Sequence, residues 1–168
     1  MERFHVTVTA DLVVPDTAHE PAYRGLVVPE TWERVTYSIG KSTYVQDLAD
    51  RLELVRADLA GRIFGQTLWY LICCGRKRPT EPFYASSETL DEGWHAFFLQ
   101  WPEYSEFGET HCQPGGFIPH RPFHPVLDDC SVLAPARDRA KAAMVRHGFD
   151  VDELVWQGKW SDCGACPF

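Results

Sequence analysis

No apolar run in the chain approaches the roughly 20 residues that a membrane helix requires, which excludes an integral helical membrane protein of the usual kind. Met1-Glu2-Arg3-Phe4-His5 lacks the apolar centre and small-residue cleavage site of a secretory leader. Basic residues are in deficit: 16 Lys and Arg stand against 24 Asp and Glu, a formal net charge of −8. That balance opposes a nucleic-acid partner, which needs clustered cations. Phosphate loops, dinucleotide fingerprints, nucleophile elbows and His-Glu-x-x-His are all missing, so no nucleotide cofactor is expected.

What the chain does have is aromatic surface to bury: six Trp, ten Phe and six Tyr in 168 residues. Such rings need a packed interior, so extensive disorder is not expected. The length fits one domain, 1–168. A cytoplasmic location follows as the expectation from the missing leader. There the six Cys read as reduced, metal-binding or redox groups before they read as a disulfide framework.

Residues Phe4 to Val14 open with Phe4, Val6 and Val8 alternating against His5, Thr7 and Thr9, a strand pattern ended by Pro15. Arg34 to Ile39, closed by Gly40, reads as a second strand, making 1–41 a β-rich segment. From Ser42 onward the period becomes helical, and 42–168 reads as a helical region. Leu48, Leu52, Val55, Leu59 and Ile63 recur at three- and four-residue steps, and Gly65 interrupts them. Gln66 to Cys74 is apolar nearly all round and reads as a buried helix stopped by Gly75. Thr89 and Glu92 fit a capping box for a helix to Gln100. Trp101-Pro102 opens another helix, ending near Gly108. Pro114 to Pro125 reads as an irregular loop, Pro135 to His147 as a helix stopped by Gly148, and Asp152 to Trp156 as a short turn. The expected fold is mainly α with a small N-terminal β element, an α+β helical domain.

The chemistry concentrates in three blocks: Leu90-Asp91-Glu92-Gly93-Trp94-His95, Tyr104-Ser105-Glu106-Phe107 and Gly115-Gly116-Phe117-Ile118-Pro119-His120-Arg121-Pro122. Together they resemble the bacterial members of the glycine-rich domain-containing protein-like family. That family's pattern runs Asp-Glu-x-Trp-His, Tyr-x-x-Phe, then Gly-x-Phe-Ile-x-His-x-Pro. The resemblance covers roughly residues 66 to 168, including a Trp at 156 and a C-terminal Cys cluster. It implies a shared fold and brings no defined activity with it. The chain departs from the family at Phe97 and Pro119, where a His is common, and at Gly108, where a Cys is common.

Read as chemistry, Asp91 and His95 are four apart and share a helix face. A carboxylate there holds one imidazole nitrogen and directs the other toward a metal or a proton. The plainer alternative is that Asp91 serves the helix N-terminus and His95 is an ordinary packed histidine. His120 and His124 bracket three residues, and Cys163 and Cys166 bracket two. This is the ligand set of tetrahedral zinc in reversed order, with Pro122 opposing a helical His pair. Zinc or another divalent transition metal is therefore the expected cofactor. The terminal thiols also read as a disulfide or as inert groups on a frayed end. His111-Cys112 is a spare pair, Cys73 and Cys74 read as core, and Cys130 has no visible partner. Trp94, Phe98 and Trp101 read as core, and Arg76-Lys77-Arg78 as a solvated face.

Three functions follow. One is a helical protein holding a structural metal through His and Cys, with a protein or small-molecule partner. Another is a metal-dependent enzyme built on His95, His120 and Asp91. The third is a thiol redox protein using Cys163 and Cys166.

Overall fold

Pro29 occupies the first turn of a helix, where its missing N–H is no loss, and Glu30 follows to complement the positive helix end. This helix, α1, spans Pro29–Lys41 and buries Trp32, Val35 and Ile39. The expected strand from Arg34 to Ile39 is therefore helical. The alternation that suggested a strand required Tyr37 to share the inner face, yet Tyr37 is 68% exposed. The helical spacing that includes Trp32 prevails.

The computed structural model describes residues 23–113, 118–119, 130–157 and 160–166, with 130–132 and 160–166 described by backbone alone. The expected strand from Phe4 to Val14 lies outside these. After α1 come α2 (Thr43–Arg51), α3 (Arg56–Arg76), β1 (Tyr84–Ser87), α4 (Glu88–Phe98), α5 (Trp101–His111), α6 (Cys130–Arg146), α7 (Glu153–Trp156) and β2 (Trp160–Cys166). The fold is mainly α with a small β element, as expected, but the β element described lies outside the 1–41 segment where it was expected. Among the described residues that element is the antiparallel β1–β2 pair. No helix among the described residues is long and apolar enough to cross a membrane.

The helix expected to run unbroken from Ser42 is two helices. Glu53 takes a left-handed backbone, φ 54°, between α2 and α3. Neither Gly nor Pro marks that break, and Leu52 and Val55 keep the helical spacing across it while remaining exposed. Gly65, expected to interrupt, lies inside α3, as does Gly75.

α3 is the hub. Its residues from Leu59 to Cys74 are almost wholly buried, and α1, α2, α4, α5, α6 and α7 all touch it. Aromatic contacts knit this core: Trp32 against Phe64, Phe64 against Phe97, and Tyr70 edge-on to both Trp94 and Trp156. α6 begins earlier than expected and carries Pro135 inside it. Pro135 is exposed, so its ring faces away from the buried stripe of Leu133, Ala136, Ala140, Ala143 and Met144. Gly148, at φ 78°, follows the end of α6 in the left-handed conformation that favours glycine.

Candidate functional site

β1 leads directly into α4, and Ser87 joins them. Its Oγ accepts from the Leu90 N–H at 3.1 Å and donates to the Val155 carbonyl at 2.6 Å. The helix cap is thus Ser87, two residues before the Thr89 expected from the sequence. The Thr89 hydroxyl instead lies 2.8 Å from that of Tyr44. Capped this way, α4 turns Trp94 and Phe97 into the core and sets Asp91 and His95 along its flank.

Asp91 and His95 meet. Asp91 Oδ2 lies 3.2 Å from His95 Nδ1, with the carboxylate side chain 9% exposed and the imidazole 48% exposed. The hydrogen bond to Asp91 raises the His95 pKa above its ordinary value, burial opposes it, and the Asp91 and Glu92 charges add to the rise. With Nδ1–H donated to the carboxylate, Nε2 becomes the basic nitrogen of the neutral ring. This is the orientation that metal ligation or proton transfer needs.

The sign of the pH effect follows. A folded-state pKa raised above 6.5 stabilises the fold fully below that value, and the contribution fades as pH rises through the folded pKa. In chelator-treated protein, Asp91→Asn is expected to lower the His95 pKa, because the substitution removes both the charge and the strong acceptor. Imidazole NMR titration reads this directly, and an unmoved midpoint would break the assignment.

The three sequence blocks are physically joined. Trp94 Nε1–H donates to Tyr104 Oη at 2.9 Å, and Tyr104 Oη–H donates to the Ile118 carbonyl at 2.7 Å. All three residues are buried. The relay fastens Ile118 to the flank of α4 and α5, two residues ahead of His120 in the chain. Of the aromatic stripe read as core, Trp94 is fully buried and Phe98 half-buried. Trp101 is 50% exposed, so it is no core residue. α4 ends at Phe98, and the stripe leaves the helical track before reaching 101.

His120 and His124 lie outside the described residues. Cys163 and Cys166 lie on β2, whose backbone pairs with β1, so the tail is a strand and not a frayed end. Cys166 stands opposite Tyr84. Cys163 falls in an irregular stretch: from Trp160 to Ala165 β2 takes five steps, while β1 takes two from Ala85 to Ser87. β2 also packs against α4. The spare pair diverges: His111 Nε2 reaches the Leu26 carbonyl at 3.2 Å, while Cys112 sits over Gly75. Cys73 and Cys74 are buried, and burial pushes the Cys73 thiol up to about 12, with Arg146 and Arg76 partly opposing. It is therefore protonated and inert at neutral pH. Among the described residues, no three His, Cys, Asp or Glu side chains gather as a metal-holding group.

Two polar features have no local sequence signal. Gln66 reaches across to the α7 region, donating to the Asp150 carbonyl at 3.0 Å and accepting from the Asp152 N–H at 3.1 Å and Trp156 Nε1–H at 2.9 Å. Arg62 makes a two-pronged bond to Asp152 at 2.6 and 2.8 Å. The basic run is also more than a solvated face. Lys77 is buried, and its Nζ donates to the Glu81 carbonyl at 2.9 Å.

No family model matches the chain, and no curated protein or solved structure matches it either.

Proposed function

We propose that the chain is a helical metal-binding protein whose centre is His95, oriented by Asp91, with His120 and His124 as further ligands. The 3.2 Å Asp91–His95 contact carries the reading. A buried carboxylate holding Nδ1 is the outer-shell partner that metal-bound histidines characteristically have. The Trp94–Tyr104–Ile118 relay supports it, since it brings the chain to α4 just before His120. The likeness to the glycine-rich domain-containing protein-like family gains a physical sense on the same ground, because the relay ties together the motif blocks that carry it. Zinc suits an imidazole-rich set, and Cys163 and Cys166 on the neighbouring strand are the alternative source of ligands.

The half-exposed imidazole favours a second reading. Structural zinc sites are closed, whereas His95 faces solvent over about half its surface. An open position there would suit a metal-dependent enzyme, to which the ion would contribute Lewis acidity. Asp91 would then fix the His95 tautomer in either role.

Elemental analysis of freshly purified protein tests the proposal. Wild type is expected to carry stoichiometric metal, and His95→Ala and His120→Ala to lose it. Asp91→Asn is expected to bind about 10- to 100-fold more weakly. Metal that survives His95→Ala but disappears in Cys163→Ser would move the site to the tail. Metal-free wild type would end the proposal.

A further inference from the structure

Thr31, in the first turn of α1, is wholly buried, and its Oγ1 has no hydrogen-bond partner among the described residues. A buried hydroxyl left unpaired costs free energy and calls for an explanation. Thr31 lines a cavity of about 290 Å³ between the start of α1 and one face of α5. α5 contributes Glu103, Glu106, Phe107, Thr110 and His111, which recur at helical steps and so share that face. Two contacts tie the walls together. Arg34 of α1 pairs with Glu103, and His111 Nε2–H donates to the Leu26 carbonyl at 3.2 Å. The first contact turns one side of α1 toward α5. Thr31 lies three residues before Arg34 on that side, so its hydroxyl is aimed at the cavity.

We infer that this cavity is a site for a small primary amine, bound as its ammonium and carried on a short apolar body.

The apolar wall comes from Leu26, Val27 and the buried Phe107. The polar groups facing it are mainly acceptors. With Nε2–H of His111 given to Leu26, Nδ1 is left as an acceptor nitrogen. Glu103 is compensated by Arg34, whereas Glu106 is exposed and makes no ion pair among the described residues. No Lys or Arg lines the cavity among the described residues. The positive end of α1 would favour an anion, but it amounts to roughly half a charge, and Glu30 already complements it. Glu106 brings a full negative charge, so a cation prevails. An ammonium has three N–H donors and no acceptor, which suits a set led by Glu106 and the Thr31 hydroxyl oxygen. Thr31 is inaccessible from outside, which puts its hydroxyl at the inner end. A compact ammonium fits there better than a planar guanidinium fork. The volume stands at the low end for small-molecule sites, so the body is short.

The test is an NMR titration with phenethylammonium, set against phenethyl alcohol and hydrocinnamate as its neutral and anionic counterparts. Phenethylammonium is expected to shift the Thr31 and Thr110 amides and the His111 ring saturably. The alcohol should bind at least tenfold more weakly, and hydrocinnamate should give no response. Glu106→Gln is expected to weaken ammonium binding roughly tenfold. Glu109→Gln makes the same charge change on α5 away from the cavity and should leave binding unchanged. Thr31→Val keeps the shape and removes the hydroxyl. It is expected to weaken binding several-fold while leaving the urea midpoint of the free protein unchanged or raised, because the lost hydroxyl had no partner. No saturable response to phenethylammonium would overturn the inference, as would equal binding of the alcohol or full affinity in Glu106→Gln. A lowered midpoint in Thr31→Val would overturn it too, since the hydroxyl would then be satisfied within the fold. Tighter binding of Nα-acetyllysine amide than of phenethylammonium would assign the cavity to a protein side chain instead of a small molecule.

Discussion

Gln66→Leu is expected to destabilise the fold by about 3–5 kcal/mol. One side chain serves three groups on a distant segment: the Asp150 carbonyl, the Asp152 N–H and the indole N–H of Trp156. Trp156 is 1% exposed, so its N–H has no route to water once the glutamine oxygen is gone. Each buried polar group left without a partner costs about 1–3 kcal/mol, and leucine fills the volume without serving any of them. Some of the loss is recovered where Asp150 and Asp152 relax toward solvent, which places the total below a simple sum. Gln46→Leu is the control. Gln46 donates to the Lys41 carbonyl at an exposed site, and its loss should stay within about 0.5 kcal/mol. Urea unfolding of the two variants measures the difference. A Gln66→Leu loss below about 1.5 kcal/mol would mean that the Arg62–Asp152 pair and the ring contacts of Phe149 and Trp156 hold this segment to α3 without the glutamine.

That clasp shows where a local reading stops. The stretch from Gln66 to Cys74 is apolar nearly all round, and its burial follows from that pattern. Nothing near Gln66 announces that it meets residues more than 80 positions away. The Asp91–His95 pair was legible because both partners lie on one helix face, where spacing alone sets proximity. The Ser87 cap was misplaced because Thr89 and Glu92 satisfy the same local rule. The choice between them rests on the bond from Ser87 to Val155, a tertiary contact. At Leu52 to Val55 the apolar spacing runs straight across a break made by a left-handed Glu53, a conformation that no residue type there predicts.

Gly93 lies between Asp91 and His95, and there intrinsic preference and packing predict opposite signs. In an isolated helix, Gly93→Ala would stabilise by roughly 0.5–1 kcal/mol. In the fold, a Cβ at Gly93 would sit 2.2 Å from Thr67 Oγ1 and 3.0 Å from Ile63 Cγ2 on α3. Thr67 cannot swing aside freely, because its hydroxyl donates to the Ile63 carbonyl at 2.8 Å and lies 3.2 Å from the Leu90 carbonyl. α4 must therefore shift off α3, and Gly93→Ala is expected to cost about 2–3 kcal/mol despite the gain in propensity. Thr67→Ala alone should cost about 1 kcal/mol for its hydrogen bonding. The double variant removes the nearest clashing atom, so it should be at least 1 kcal/mol more stable than the two single losses predict. Strict additivity, or a stabilising Gly93→Ala, would mean that α3 and α4 do not cross this closely. The Asp91–His95 contact is internal to α4 and should survive a rigid shift of that helix. The raised His95 titration is then expected to persist in Gly93→Ala while stability falls. That separation would distinguish what α4 contributes to the fold from what it presents at its surface.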